Sequence, residues 1–293
     1  MIERAKDFIW HNARVLEQHR FACHFGPGDT GTDAVLRALL AYQNPDGGFG
    51  HALEPDGRGP SSQPLHVFMA LRLLDEVGLA DSPTTQRMCD YLASVSTPDG
   101  GVPNVHPAMR DHPRAPWWVI QDDPPGAILP TGLIVGLLHK NRIEHPWLAP
   151  ATEFCWRAVD AITDPHPYEV GACVDFLDHA PDRDRAERTA ERLGAMVRER
   201  RLVDLGDGAP RPEGYAEGEV HKPHDYARTP DSLARRWFTD AEFERSLDDL
   251  AAGQQEDGAW RFFWTVWTPV TEFEWRPVVT IDALLKLRAF GRL

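Results

Sequence analysis

Four segments of this sequence concentrate side chains able to move protons or hold a small ligand. Gly50-His51-Ala52-Leu53-Glu54-Pro55-Asp56-Gly57-Arg58 sets an imidazole, two carboxylates and a guanidinium side by side. A carboxylic acid at a partly dry mouth keeps its proton longer than in water and can donate it near neutral pH. Glu54 and Asp56 are therefore candidate acids, with His51 and Arg58 as substrate contacts. The same groups could instead cap the next helix or pair with Arg58.

The second segment holds Arg110-Asp111-His112, then Trp117-Trp118, then Gln121-Asp122-Asp123. Paired acids beside adjacent indoles suit two ligands. A sugar stacks on indole while carboxylates bind hydroxyls or move protons; a polyene yields cations that aromatic faces stabilise. Asp122 and Asp123 are read as catalytic candidates and Trp117 and Trp118 as substrate contacts, the alternative being an apolar plug with solvated acids.

The third segment, 213–228, carries Glu217, Glu219, His221, His224 and Asp225. His-x-x-His beside carboxylates can take a divalent metal, but Pro223 lies between the histidines and the spacing is not that of a helical zinc motif. No metal is expected, and His221, His224 and Asp225 are read as substrate contacts. The fourth, 260–276, is aromatic: Trp260, Phe262, Phe263, Trp264, Trp267, Phe273 and Trp275, with Glu272, Glu274 and Arg276. Trp260 is expected to pack its own turn, and Trp264, Trp267, Glu272 and Trp275 to face a substrate, although aromatic stripes more often form core. Neither a Gly-rich phosphate loop, a nucleophile elbow nor a Cys/His dyad is visible, so no cofactor is expected.

Helical periodicity dominates the elements that must position these segments. Helices are expected over 2–19, 31–44, 65–78, 83–95, 127–141, 147–162, 167–179, 182–201, 229–238, 240–254 and 277–291. In 65–78 apolar residues wrap much of the circumference, as in a helix buried on several sides. In 182–201 charge dominates and the apolar stripe is narrow, as in an outer helix.

Asp-Gly turns punctuate the helices. Asp46-Gly47, Asp99-Gly100 and Asp257-Gly258 stand at intervals of 53 and 158 residues, the second close to three times the first. Asp207-Gly208 is a weaker copy. A period of this size marks a repeated supersecondary unit. It implies an all-α chain, a single domain over 1–293, built as an α/α toroid of about six helical hairpins. Connectors after apolar helices are short and those before them long (49–64, 102–126, 202–228, 260–276), so the long loops collect at one end, which is the expected working end.

The turns resemble the repeat shared by squalene and hopene cyclases and by protein prenyltransferase β subunits, where a Gln precedes a Gly-x-Trp or Gly-x-Phe turn. The matching residues are Gln43…Gly47-Gly48-Phe49 and Gln255…Gly258-Ala259-Trp260, with Ser96…Gly100-Gly101-Val102 as a degenerate copy. The resemblance implies an isoprenoid substrate and acid-initiated carbocation chemistry. Two departures stand against a full match. The Asp-x-Asp-Asp motif of class II cyclases is absent, the nearest acidic pair being Asp122-Asp123. The prenyltransferase zinc set is also broken: Cys173 and Asp175 come in reverse order, and Ala227 stands where the ligand His would be.

A formal net charge of −14 with no basic block argues against a nucleic-acid partner. No apolar run approaches the roughly 20 residues that span a bilayer. The charged start Met1-Ile2-Glu3-Arg4 does not read as a signal peptide. Scattered Cys23, Cys89, Cys155 and Cys173 suit reduced thiols in the cytoplasm. The reading is thus a terpene cyclase- or prenyltransferase-like enzyme on a small isoprenoid. A carbohydrate-active hydrolase or lyase and a non-catalytic binding protein are the alternatives, and the oligomeric state is open.

Overall fold

A computed structural model describes residues 1–27, 31–208 and 214–293. The chain forms two compact units, Leu36–Thr189, and Met1–Val35 with Ala190–Leu293. Among the described residues both are helical, and the only β pairing consists of isolated bridges, Gln43 to Phe49 and Gly57 to Arg114.

In chain order the helices are α1 (Ile2–Asn12), α2 (Val15–Phe25), α3 (Thr32–Leu40), α4 (Pro64–Glu76), α5 (Pro83–Val95) and α6 (Ile128–Lys140). They continue as α7 (Leu148–Ala161), α8 (Pro167–His179), α9 (Arg183–Glu199), α10 (Pro223–Tyr226), α11 (Asp240–Ala252) and α12 (Pro269–Ala289). No described helix is long and apolar enough to cross a membrane. All four cysteines are free thiols, and Cys89, Cys155 and Cys173 are buried.

Within Leu36–Thr189 the centre is α6, apolar around most of its circumference and packed against α4, α7 and α8. Gly132 and Gly136 lie one turn apart on its α8 face. A Cβ at either would stand 2.8 Å from Ala172 O or 2.2 Å from Asp175 O, so only glycine lets the two backbones approach this closely. In the other unit α12 supplies the core: Ile281, Leu284 and Leu287 pack with Ala5, Ile9 and Phe21. On α9 the buried stripe Ala186, Ala190, Leu193 and Val197 is as narrow as its charged sequence implies.

The Asp-Gly turns share one geometry. Asn44, Thr97 and Gln255 each donate their N–H to the carbonyl four residues on (2.9, 2.8 and 2.7 Å). Each also accepts from the glycine three residues on (3.0, 2.9 and 3.0 Å). Gly47, Gly100 and Gly258 have φ of 89°, 93° and 93°, where a side chain is strained. A Cβ there would come within 2.3 Å of Arg87 O, 2.4 Å of Pro150 O and 2.1 Å of Arg4 O respectively. Each turn is thus seated on the backbone of another helix, and an arginine of that helix donates back to a turn carbonyl: Arg87 to Asn44, Arg157 to Asp99, Arg4 to Gln255. Gly208 also has positive φ but meets nothing within 4 Å, so the weaker copy lacks this docking role.

Several boundaries differ from the sequence expectation. The first helix is two, broken where Ala13 and Arg14 are extended; Asn12 Nδ2 bonds back to Phe8 O and ends the first. The expected helix 229–238 is a 3₁₀ segment, Leu233–Trp237. Most consequential is α12, which starts at Pro269 rather than 277 and carries Pro277 inside it. Glu272 and Trp275 therefore stand on a helix. The glutamine that closes the third turn is Gln254, whose Nε2 donates to Gly258 O at 2.9 Å as Gln43 does to Gly47 O at 3.0 Å, and not Gln255.

Candidate functional site

Within Leu36–Thr189 the first two long loops meet. Loop 50–63 begins with His51 and Ala52 at φ 58° and 59°, two successive non-glycine residues in the left-handed region. Such strain persists only where the surroundings over-determine it, and it clusters at functional loops. The next turn is tied by Glu54, whose Oε2 accepts the N–H of Asp56 (2.8 Å) and of Gly57 (3.2 Å). The second loop then pairs with it through the backbone: Arg58 N donates to Pro113 O at 3.0 Å and Ala115 N to Asp56 O at 2.8 Å.

Trp118 closes this junction. A Cβ on Gly57 would stand 2.4 Å from its ring and 2.9 Å from His66 Nε2, so glycine is required for the indole to lie on the loop. The His66 and Trp118 rings are 5.7 Å apart and tilted. Glu54, Asp56 and His66 are all buried, at 8, 4 and 0% exposure, an unusual concentration of titratable groups away from water. Gln63, also buried, clamps His106 from both sides, accepting its N–H at 2.8 Å and donating to its carbonyl at 3.3 Å.

The sequence thus singled out Glu54, Asp56, Arg58 and Trp118, and the fold brings their two loops together. It leaves His51 exposed and bonded to Asn44 Oδ1 (3.1 Å), Trp117 exposed, and Asp123 exposed. Asp122 is exposed in an ion pair with Arg110. Sequence reasoning missed His66 and Gln63. A histidine in the first turn of the apolar helix α4, directly after a charged loop, was the available signal.

Within the other unit, residues 215–226 form a second polar cluster. Tyr215 Oη and His221 Nδ1 are 2.8 Å apart, and the His221 ring lies tilted between Tyr215 and Tyr226 at 5.7 and 5.5 Å. His224 is buried with Nδ1 2.6 Å from Ser246 Oγ. Asp225 accepts from Lys286 Nζ (2.7 Å) and from Lys222 N (2.9 Å). Burial works to raise the Asp225 carboxyl, but the Lys286 ammonium and the flanking His224 and His221 outweigh it and hold it well below the usual carboxylate range. Burial pushes His224 down to about 4, against the pull of Asp225 and with the help of Lys286 and Lys222. No group of three or more His, Cys, Asp or Glu among the described residues is arranged to hold a metal ion. Glu213, which opens the third segment, lies outside the described residues.

A depressed histidine value makes stability fall with acid. Above the unfolded value of about 6.5 neither state binds the proton; below it the unfolded chain takes up a proton that the native His224 refuses. The cost reaches about 3 kcal/mol by pH 4. Urea midpoints measured between pH 7 and pH 4.5 are expected to decline in the wild type. His224→Asn, whose amide keeps the Ser246 bond, should flatten the decline; an unchanged slope would remove His224 from this role.

The same unit contains an open cleft of about 710 Å³ at the start of α12, walled by Glu256, Asp257, Arg261, Phe262, Glu272 and Arg276. Phe262 continues into an aromatic row, 4.7 Å from Trp264, which meets Trp275 edge-on at 4.9 Å. Of the expected substrate contacts here, Glu272 lines the cleft directly, Trp264 and Trp275 back Phe262, and Trp267 is half-buried.

Helices, hairpin turns and the absence of any described strand define an all-α fold, and comparison with solved structures places it in the α/α-toroid class. A protein from Actinoplanes is similar over 99% of this chain and 98% of its own, with TM-score 0.62 and 16% identity. A variant of a type II terpene cyclase from Scytonema, solved with its substrate geranylgeranyl dihydroxybenzoate, is similar over 99% of this chain and 88% of its own, with TM-score 0.54 and 14% identity. No family model matches the sequence, and no curated protein does.

Proposed function

We propose that this chain is an enzyme of terpene-cyclase type in which Asp56 protonates an isoprenoid substrate. One arrangement carries this reading: a buried Asp56 held on a strained loop, with an imidazole and an indole packed against the same turn. In this reading Glu54 is a positioning residue, since its oxygen is used in tying the turn. The Asp56 proton adds to a terminal alkene, the resulting cation draws in a second double bond to close a ring, and a proton lost from carbon restores neutrality. Aromatic faces such as Trp118 lower the energy of the cation. The likeness of fold to a cyclase that acts on a prenylated dihydroxybenzoate supports the substrate class.

Incubation with linear prenyl alcohols and prenylated aromatic acids, followed by gas chromatography and mass spectrometry, is expected to yield products isomeric with the substrate. A carbohydrate-active enzyme is the second reading, favoured by the charged, aromatic-backed cleft at the start of α12. Release of reducing ends from a polysaccharide panel, with every prenyl compound untouched, would replace the first reading by the second.

A further inference from the structure

The cleft at the start of α12 holds groups of both signs that the protein itself does not use. Of its five charged residues, Asp257 and Arg276 are committed to one another at 2.7 Å. Arg276 also lies over the Phe8 ring, 4.8 Å from its centroid. Among the described residues, Glu256, Glu272 and Arg261 form no ion pair and no side-chain hydrogen bond, although opposite charges line the same wall. Phe262 and Val266 supply an apolar face between these groups.

We propose that this cleft binds a small zwitterion of α-amino-acid type. Its carboxylate is taken by the Arg261 guanidinium, its ammonium by Glu256 and Glu272, and its side chain by Phe262 and Val266. A guanidinium matches the planar carboxylate with two parallel donors. A diphosphate is disfavoured: two uncommitted carboxylates face one uncommitted arginine, so a dianion meets net repulsion. A simple amine would leave the Arg261 guanidinium unmet. The cleft volume of about 710 Å³ is within the usual range for small-molecule sites. This assignment is independent of the role given to Asp56.

Isothermal titration with L-phenylalanine tests it, with phenethylamine (no carboxylate) and 3-phenylpropionate (no ammonium) as the two arms. L-Phenylalanine is expected to bind saturably, and each truncated probe at least about tenfold more weakly, a factor of ten being 1.4 kcal/mol. Arg261→Gln should weaken phenylalanine and phenylpropionate but leave phenethylamine unchanged, and Glu272→Gln should show the reverse pattern. Both side chains are exposed, so circular dichroism and melting should match the wild type. The proposal is overturned if phenylalanine shows no saturable binding in the millimolar range, if phenethylamine binds as tightly as phenylalanine, or if either variant leaves phenylalanine affinity unchanged.

Discussion

Gly258→Ala is expected to cost about 3 kcal/mol and to lower the melting temperature by roughly 10 °C. Two independent penalties combine. At φ 93° an L side chain pays about 1–2 kcal/mol for the left-handed conformation. The new Cβ would also stand 2.1 Å from Arg4 O and 2.5 Å from Arg4 C, so α1 itself must move and forced repacking adds about 1–3 kcal/mol. The obstacle is backbone, which has no rotamer to give. Gly291→Ala separates the penalties, because Gly291 has φ 68° with nothing within 4 Å. It should lose only the conformational part, about 1 kcal/mol. Equal losses for the two variants would show that the turn is not seated on α1 as described.

Asp56→Asn should lower turnover of a prenyl substrate about 10²–10⁴-fold, the usual contribution of a general acid. The amide has the shape of the acid but no proton to give. The main chain of residue 56 is held by Ala115 N, which donates to its carbonyl, and by Glu54 Oε2, which accepts its N–H. These survive the substitution, and a structural loss is read separately as a shift in denaturation midpoint. A loss confined to kcat, with KM held, assigns the carboxyl to the chemical step. A parallel rise in KM with kcat unchanged would make it a binding group only.

Much of the architecture was legible in the chain because it rests on local rules. Apolar periodicity placed α5 and α8 at their observed ends, and the Asp-Gly turns marked repeated helix stops because only glycine tolerates φ near 90° beside another backbone. What failed had physical reasons. Proline suits the first turn of a helix, so Pro269 and Pro277 offer the same start signal, and the helix begins at the earlier one although only Thr271 is buried before Pro277. The glutamine of the third turn is displaced by one because Gln254 and Gln255 are adjacent and identical in type. The convergence of the first two loops was invisible, since it is made by main-chain bonds between residues 56–58 and 113–115 that no side-chain pattern encodes. His66 was hidden by its apolar neighbours on α4, and its company with Glu54, Asp56 and Trp118 exists only in three dimensions.

Deuterium incorporation tests the central claim, that an acid of the 50–63 loop starts carbocation chemistry on an isoprenoid. The enzyme, exchanged into D₂O, is incubated with a linear prenylated aromatic acid, and the product is weighed by mass spectrometry. Protonation by a side chain in exchange with solvent adds one deuteron to the terminal alkene, and the proton later lost comes from carbon. The account predicts a cyclised product one mass unit heavier than its H₂O counterpart, with the label on the initiating carbon and its formation abolished in Asp56→Asn. A cyclised product without the label, or one formed equally well by Asp56→Asn, would contradict it.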